Sequence, residues 1–412
     1  MKILVIDTGY FMEVPLELAY REQTETIYYY VDYNKDFPEI QKYAPGDGFI
    51  EIVKVRDYAA YIDEADLIVF PDVGYGGIAD YLRKHGYRVY GASYLGQLLE
   101  LDRKYMHEIA SKLGIHRPET KVVEGLSNLL QYLREDTGKT HYVKVSTWRG
   151  NMETIKVTNP VDAEALLSTA GLGPYLEKLE FIVEEAIQEN AVEIGADMFF
   201  NGKEIIRPYL FSPEVKDTIT VTRWVNESPL DQLFIEKIEQ WLAKTGYRGQ
   251  ISVEGFLTED GKFYLLDVTA RQPFPAGGVI AKSIPNYHEI LYQIAEGEYP
   301  EIKPATEYGV EIVVGVEYPK LYLPVTIENE AETIRTSITP KIMARVRGRL
   351  WHLPGETVCG VVGLGASIEE AYNKAVEAVE KVHVQFAYDG RYGIHEFNKR
   401  KEKLREMGYN IF

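Results

Sequence analysis

The strands of this chain follow two different connection rules, and that split constrains the fold more than any other feature. Through residues 1–92 apolar runs alternate with helical stretches. Lys2–Ile6, Thr26–Val31 and Leu67–Phe70 read as buried strands, Ile78–His85 as a helix closed by Gly86, and Val89–Tyr90 as the start of another strand. Alternation of this kind predicts a doubly wound parallel sheet, because parallel neighbours need a crossover connection. From residue 192 the strands come in hairpins. Val192–Phe200 and Lys203–Leu210 flank Asn201-Gly202, and Ile251–Leu257 and Phe263–Thr269 flank Glu259-Asp260-Gly261. Asn-Gly and Asp-Gly turns favour tight antiparallel connections. The fold class is therefore α/β at the start of the chain and α+β further on.

Between these parts, Leu95–Leu113 reads as one helix carrying Lys104, with Gly114 as its stop and Pro118 beyond. Residues of about 120–187 hold short strands, among them His141–Val145 and Phe181–Ile187, around a helix at Leu126–Arg134. Leu230–Thr245 predicts a long amphipathic helix ending at Gly246, and Ile368–His383 another. The chain has 412 residues, too many for one core. A Pro-bearing stretch at 298–306 suggests a boundary. The expected units are 1–92, then 93–300 with a lid at about 120–187, then a small β-rich domain at 301–412.

Charge narrows the partners. Lys plus Arg number 45 against 63 Asp plus Glu, a net charge of −18. A nucleic-acid or anionic-membrane surface needs clustered cations, so neither is expected. No apolar run approaches the ~18 residues of a membrane span, and the opening M-K-I-L-V-I-D reads as a strand, not a signal peptide. Cys359 is the only cysteine, which rules out an intrachain disulfide or a multi-cysteine metal site. Its apolar setting suits a core residue. A cytoplasmic protein handling small molecules, monomeric or homodimeric, is the expectation.

Chemistry concentrates at 251–271. Glu254 and Asp267 can sit side by side across the hairpin, and Asp267, Thr269 and Arg271 share one face. Two carboxylates and a hydroxyl suit Mg²⁺, which binds through one or two carboxylates plus substrate phosphates. Arg271 suits a carboxylate or phosphate. The same residues would also serve an acidic hairpin with solvated charges. At the carboxyl ends of the predicted parallel strands stand Asp7-Thr8-Gly9 and Pro71-Asp72-Val73-Gly74-Tyr75-Gly76-Gly77, where doubly wound sheets bind ligands. The glycines there either present N–H groups to an anion or simply allow a tight turn. Lys216 and Arg223 could face substrate or lie on a surface strand. Pro273, Pro275, Gly277 and Gly278 read as a rigid loop on the substrate side.

Taken in order, the chain presents Lys104, Lys144, the loop Ser146-Thr147-Trp148-Arg149-Gly150-Asn151, a strand tipped by Glu184-Glu185, then Glu193, then the Glu254/Asp267 hairpin. This order resembles the ATP-grasp superfamily over nearly the whole chain. V-E-G-F-L-T-E-D-G-K-F-Y-L-L-D-V-T is similar to that superfamily's metal-binding hairpin. The resemblance implies an ATP-grasp fold with ATP and Mg²⁺ (or Mn²⁺) as cofactors. It makes Glu254, Asp267 and Thr269 metal ligands, Thr269 standing where the family usually has Asn. It assigns Lys104 and Lys144 to phosphates, Glu184, Glu185, Ala186 and Ile187 to the adenine hinge, and Glu193 to ribose. Arg149 sits in the loop expected to close over the phosphates.

Within the superfamily the glycinamide ribonucleotide synthetases are most similar. V-Y-G-A-S-Y-L-G-Q-L-L-E-L-D-R-K-Y (89–105), D-V-T-A-R (267–271) and V-C-G-V-V-G-L-G-A-S-I-E-E-A-Y-N-K-A (358–375) carry the likeness. The departures cluster on the substrate side. The synthetases' Gly-rich, Arg-containing first loop reads Asp7-Thr8-Gly9-Tyr10-Phe11-Met12-Glu13 here, and their G-P-E turn reads Phe70-Pro71-Asp72. The likeness implies an ATP-dependent carboxylate–amine ligase acting through an acyl phosphate. Lys144 and Arg271 would be catalytic, and Asp72, Gly74, Arg271, Gly277 and Gly278 would face substrate. A different ATP-grasp reaction, or a nucleotide-binding protein without turnover, are the alternatives.

Overall fold

Ile3, Leu4, Val5 and Ile6 of strand β1 (Lys2–Asp7) are all buried, as a parallel strand covered on both faces requires. The computed structural model describes residues 1–31, 43–136, 139–145, 154–168, 173–187, 190–215 and 218–412. Strand β1 pairs in parallel with β2 (Thr26–Val31) and, on its other side, with β4 (Leu67–Val69). With β3 (Val53–Lys54) and β5 (Val89–Tyr90) the sheet order is β3-β2-β1-β4-β5. Helix α1 (Glu13–Ala19) follows β1, and α2 (Gly76–Lys84) follows β4. Helix α1 is hidden in the sequence by Pro15, which lies in its first turn, where a missing N–H costs nothing.

The expected single helix at 95–113 is two, α3 (Tyr94–Leu101) and α4 (Arg103–Lys112). Asp102 divides them. Its backbone is extended and its carboxylate accepts from the Tyr105 N–H at 3.0 Å, capping α4. A subdomain with an antiparallel sheet follows, the expected lid, built from β6 (Thr120–Glu124), α5 (Leu126–Glu135), β7 (His141–Val145), β8 (Thr154–Val157), α6 (Pro160–Ser168) and β9 (Glu180–Glu185). Its order is β6-β9-β7-β8, and it encloses a core of its own that includes Leu129, Leu133, Val143 and Phe181.

Beyond the lid come β10 (Val192–Phe200), β11 (Ile205–Pro213) and β12 (Ile219–Val225). The hairpin β13 (Gly249–Leu257) and β14 (Phe263–Thr269) extends the β10 side. The helix expected over 230–245 is shorter, a π-helical turn at Asp231–Ile235 running into α7 (Glu236–Leu242). Helices α8 (Gly277–Ser283) and α9 (Tyr287–Glu296) complete this part.

The Pro-bearing stretch at 298–306 joins two parts of one sheet. After it come β15 (Tyr308–Val316), β16 (Leu323–Ile327), α10 (Glu330–Thr336), β17 (Ile338–Pro340), β18 (Met343–Val346) and β19 (Arg349–His352). The chain ends with β20 (Thr357–Gly365), α11 (Ile368–Val379), β21 (Val382–Val384), β22 (Ala387–Asp389) and α12 (Ile394–Glu406). Strand β15 pairs with β12, so a nine-stranded sheet runs β14-β13-β10-β11-β12-β15-β20-β17, with β22 beside β15. The helix expected to reach His383 stops at Val379, and His383 lies on β21. Among the described residues no helix is long and apolar enough to cross a membrane.

Candidate nucleotide and substrate site

One face of the large sheet is lined with acids. Glu254 lies directly opposite Asp267 on one side and Gly195 on the other. Directly opposed residues share a face, so the next row holds Asp197, Ser252 and Thr269. Ser252 Oγ donates to Asp197 Oδ1 at 2.6 Å. Glu214 folds back over the sheet so closely that a Cβ at Gly195 would lie 2.2 Å from its Oε1, and any larger residue there would push that carboxylate aside. Burial, then the charges of Glu254 and Asp197, hold Glu214 well above the usual carboxylate range. Burial pushes Asp197 up to about 7 against the Ser252 hydrogen bond, and Glu254 and Glu311 add to it.

Crowded carboxylates that raise one another are what a divalent cation relieves. Among the described residues no three His, Cys, Asp or Glu side chains group tightly enough to enclose a metal alone. The opposed pair Glu254 and Asp267 fits Mg²⁺, which binds through one or two carboxylates and keeps waters and phosphates for its other positions. Asp197 and Glu214 were missed in the sequence. The alternation 193, 195, 197 along β10 signals the first; nothing local signals the second.

Two cationic side chains and a histidine reach this region from the other side. Arg103 Nη1 is 3.0 Å from Asp267 Oδ2. Lys144 Nζ is 2.9 Å from Glu184 Oε2 and donates to the Leu266 carbonyl at 3.4 Å, tying the lid to the hairpin. His107 Nε2 lies 3.2 Å from Glu184 Oε1. Burial alone would raise Glu184, but Lys144 and His107 outweigh it and hold the carboxyl below its ordinary value.

Lys104 does not join them. It is half exposed and 3.5 Å from Glu180 Oε1. Because Asp102 restarts the helix, Arg103 and His107, four apart, share the inward face, and Lys104 is turned roughly 100° away.

Glu185, Ala186 and Ile187 line a cavity of about 450 Å³ between the end of β9 and the β13–β14 turn, together with Pro118, Asn190 and Tyr264. Glu184 instead points into the lid toward Lys144. Glu193 is buried, with Arg400 of α12 at 3.4 Å from its Oε2, a partner 207 positions away. Arg149, the loop around it and Lys216 lie outside the described residues. Arg223 pairs with Glu307 at 2.8 Å and reaches the Ile411 carbonyl near the chain end, so it is a packing residue.

The carboxyl ends of β1 and β4 meet this sheet through Arg271. Its Nε donates to Glu100 Oε1 at 2.8 Å and lies 3.7 Å from Asp72 Oδ1, with the guanidinium 5.5 Å from the centre of the Phe11 ring. Asp72 accepts from Thr8 Oγ1 at 2.5 Å. Gly74 has φ 98°, and its N–H, like that of Gly76, donates to Gln97 Oε1 at 2.9 Å. The glycine-rich turn is thus held by a side chain instead of presenting these N–H groups to an anion. Gly277 and Gly278 are buried at the start of α8. The N–H groups of Gly278 and Ala276 donate to Glu311 Oε2 at 2.9 and 3.1 Å, and a Cβ at Gly278 would lie 2.7 Å from Thr339. The fold brings Asp72 and Arg271 together and leaves these two glycines in packing roles.

No protein-family model matches the chain, and no curated protein sequence matches it significantly. Solved structures do. Phosphoribosylamine–glycine ligase from Thermotoga maritima is similar over 95% of this chain and 99% of its own, with 20% identity and a TM-score of 0.69. The biotin carboxylase domain of 2-oxoglutarate carboxylase from Hydrogenobacter thermophilus, solved with MgADP, ADP and bicarbonate, is similar over 98% and 97%, at 14% identity and a TM-score of 0.66. N5-carboxyaminoimidazole ribonucleotide synthetase from Thermotoga maritima covers 93% and 99%, at 15% identity and a TM-score of 0.61. All three are ATP-grasp enzymes, and the fold of this chain is the ATP-grasp fold.

Proposed function

We propose that this protein is an ATP-dependent carboxylate–amine ligase that works through an acyl phosphate, of the phosphoribosylamine–glycine ligase type. The observation that carries this reading is the meeting of Arg103 and Lys144 with the Glu254–Asp267 row at the lid's edge. Cations for phosphates and opposed carboxylates for a metal stand on facing elements, as phosphoryl transfer requires. The unit boundaries near 92 and 300, with the lid between, belong to the same proposal.

In this reading the adenine lies against Glu185, Ala186 and Ile187, and the ribose hydroxyls against Glu193. Lys144 and Arg103 neutralise the phosphate oxygens. Glu254 and Asp267 would hold Mg²⁺ (or Mn²⁺), with Thr269 beside them, and the metal would supply charge neutralisation for the triphosphate. Arg271 orients the substrate carboxylate. One carboxylate oxygen attacks the γ-phosphorus and ADP leaves. The amine then attacks the acyl carbon, the C–N bond forms, and phosphate leaves. Positioning supplies most of the acceleration in such transfers.

A second reading, the same chemistry on another carboxylate and amine, is favoured by the acids at Asp7, Glu13 and Asp72, where a phosphate-binding loop would be expected. Both are tested by incubating the full chain with Mg-ATP and carboxylates, with and without amines, and measuring ADP. ADP with glycine and phosphoribosylamine supports the first, and ADP only with another pair supports the second. Tight ATP binding with no turnover on any pair would overturn the ligase reading.

A further inference from the structure

We infer that Arg400, on helix α12, is a positioning residue for the nucleotide's ribose: it holds the Glu193 carboxylate where that group accepts the ribose hydroxyls. This rests on the ligase reading above, which sets the ribose against Glu193, and adds to it a residue from a helix far along the chain.

Helix α12 packs against β10, β11 and β12. Phe397, Arg400 and Leu404 are three and four positions apart and so share one face of it. Phe397 and Leu404 are buried. The Phe397 ring also meets that of Phe412 at 5.5 Å between centres, and Phe412 lies 6.0 Å from Phe211 of β11. Arg400 therefore stands in the buried stripe of the helix, where a charge needs partners. Its Nε donates to Glu396 Oε1 at 3.0 Å, one turn back. Its Nη1 lies 3.4 Å from Glu193 Oε2 and donates to the Glu214 carbonyl.

Glu193 alternates with Gly195 and Asp197 along β10, so all three lie on the acidic face. Gly195 is opposite Glu254, and Glu193 stands one row further, about 7 Å along the strand. The ribose acid is thus next to the metal pair and among like charges. Glu214, besides feeling Glu254 and Asp197, feels Glu193. Repulsion of that kind turns a loosely held carboxylate away. A guanidinium already fixed by Glu396 and by a backbone carbonyl holds it in place, because its donors are set in a rigid fork. The Glu214 N–H donates in turn to the Glu193 carbonyl at 3.0 Å, so Arg400 grips the two strands that frame the acid. A carboxylate has about four acceptor positions, and one contact with Arg400 leaves Glu193 able to accept from hydroxyls.

The full chain is titrated calorimetrically with Mg-ATP and with the magnesium complex of dideoxy-ATP, which lacks both ribose hydroxyls. Wild type, Arg400→Ala, Arg400→Lys and Glu193→Ala are compared, with melting temperatures as the check on folding. Wild type is expected to prefer ATP by roughly tenfold or more, as hydrogen bonds to a charged group provide. Arg400→Ala should lose most of that preference, with ATP bound more weakly and dideoxy-ATP bound as before, and Glu193→Ala should do the same. Arg400→Lys keeps the charge without the fork and should fall between wild type and Arg400→Ala; it decides alone if the alanine variant does not fold. Equal weakening of both nucleotides in Arg400→Ala, the mark of a purely structural arginine, would overturn the inference. So would a preference for ATP that Glu193→Ala loses and the Arg400 variants keep, which leaves the ligase reading standing. Wild type binding neither nucleotide would strike the ligase reading, and the inference with it.

Discussion

The Lys144 ammonium stands 2.9 Å from the Glu184 carboxylate, and both side chains are buried in the lid. Removing one partner strands the other's charge in a poorly solvated place. Lys144→Met is expected to cost about 3–5 kcal/mol of stability at neutral pH, and adding Glu184→Gln should recover most of it. Because Glu184 is held below its ordinary value of 4.5, the pair's stabilisation is complete above that pH and is lost as pH falls through the lower folded value. Denaturant melts of both variants at neutral and acid pH check this; a gap from wild type that does not shrink in acid would contradict it.

Arg103 and Lys104 are neighbours with opposite expectations. Arg103→Ala should weaken Mg-ATP binding by roughly tenfold or more, since a buried charge-assisted contact beside the phosphate site is lost. Lys104→Ala should change it by no more than about twofold, as surface substitutions usually do. Calorimetric titration decides, and the reverse order would return the phosphate role to Lys104.

Asp267→Asn keeps the shape of the hairpin and removes one of the two opposed charges. ADP release should fall by about 10²-fold or more, with a steeper demand for Mg²⁺, in a chain that still melts cooperatively. Normal turnover in this variant would end the metal assignment.

Asp7 is raised from 3.8 to about 6 in the folded chain. Between those values the folded state binds more protons than the unfolded state, so Asp7 lowers stability as pH rises through that window. Asp7→Asn, which cannot ionise, should match wild type near pH 4 and exceed it by up to about 3 kcal/mol above pH 7. Urea melts across that range test it; a difference that stays flat with pH would show that the carboxyl titrates normally.

How much of this was legible depended on how local each contact is. The parallel and antiparallel halves were readable from period and turn residues, and the strands at 26–31, 141–145, 192–200 and 263–269 have the expected bounds. Helix α1 was hidden by Pro15, and the break at Asp102 by an unbroken apolar period on either side. That break had consequences. The family resemblance selects Lys104, whereas the helix that starts at the Asp102 cap presents Arg103 and His107 inward.

The chain's own order of residues determined that Glu254 and Asp267 would meet, because a tight turn sets the register of a hairpin within a few positions. It determined, too, that acids rather than a glycine-rich loop end the first strand. Only the tertiary structure decided what those acids face. Arg103 reaches Asp267 across 164 positions and Arg400 reaches Glu193 across 207. Glu214 takes the space above Gly195, and Arg271 joins Glu100 and Asp72. Such contacts are set by how whole layers pack, a property of no short segment, and so no pattern along the sequence announces them.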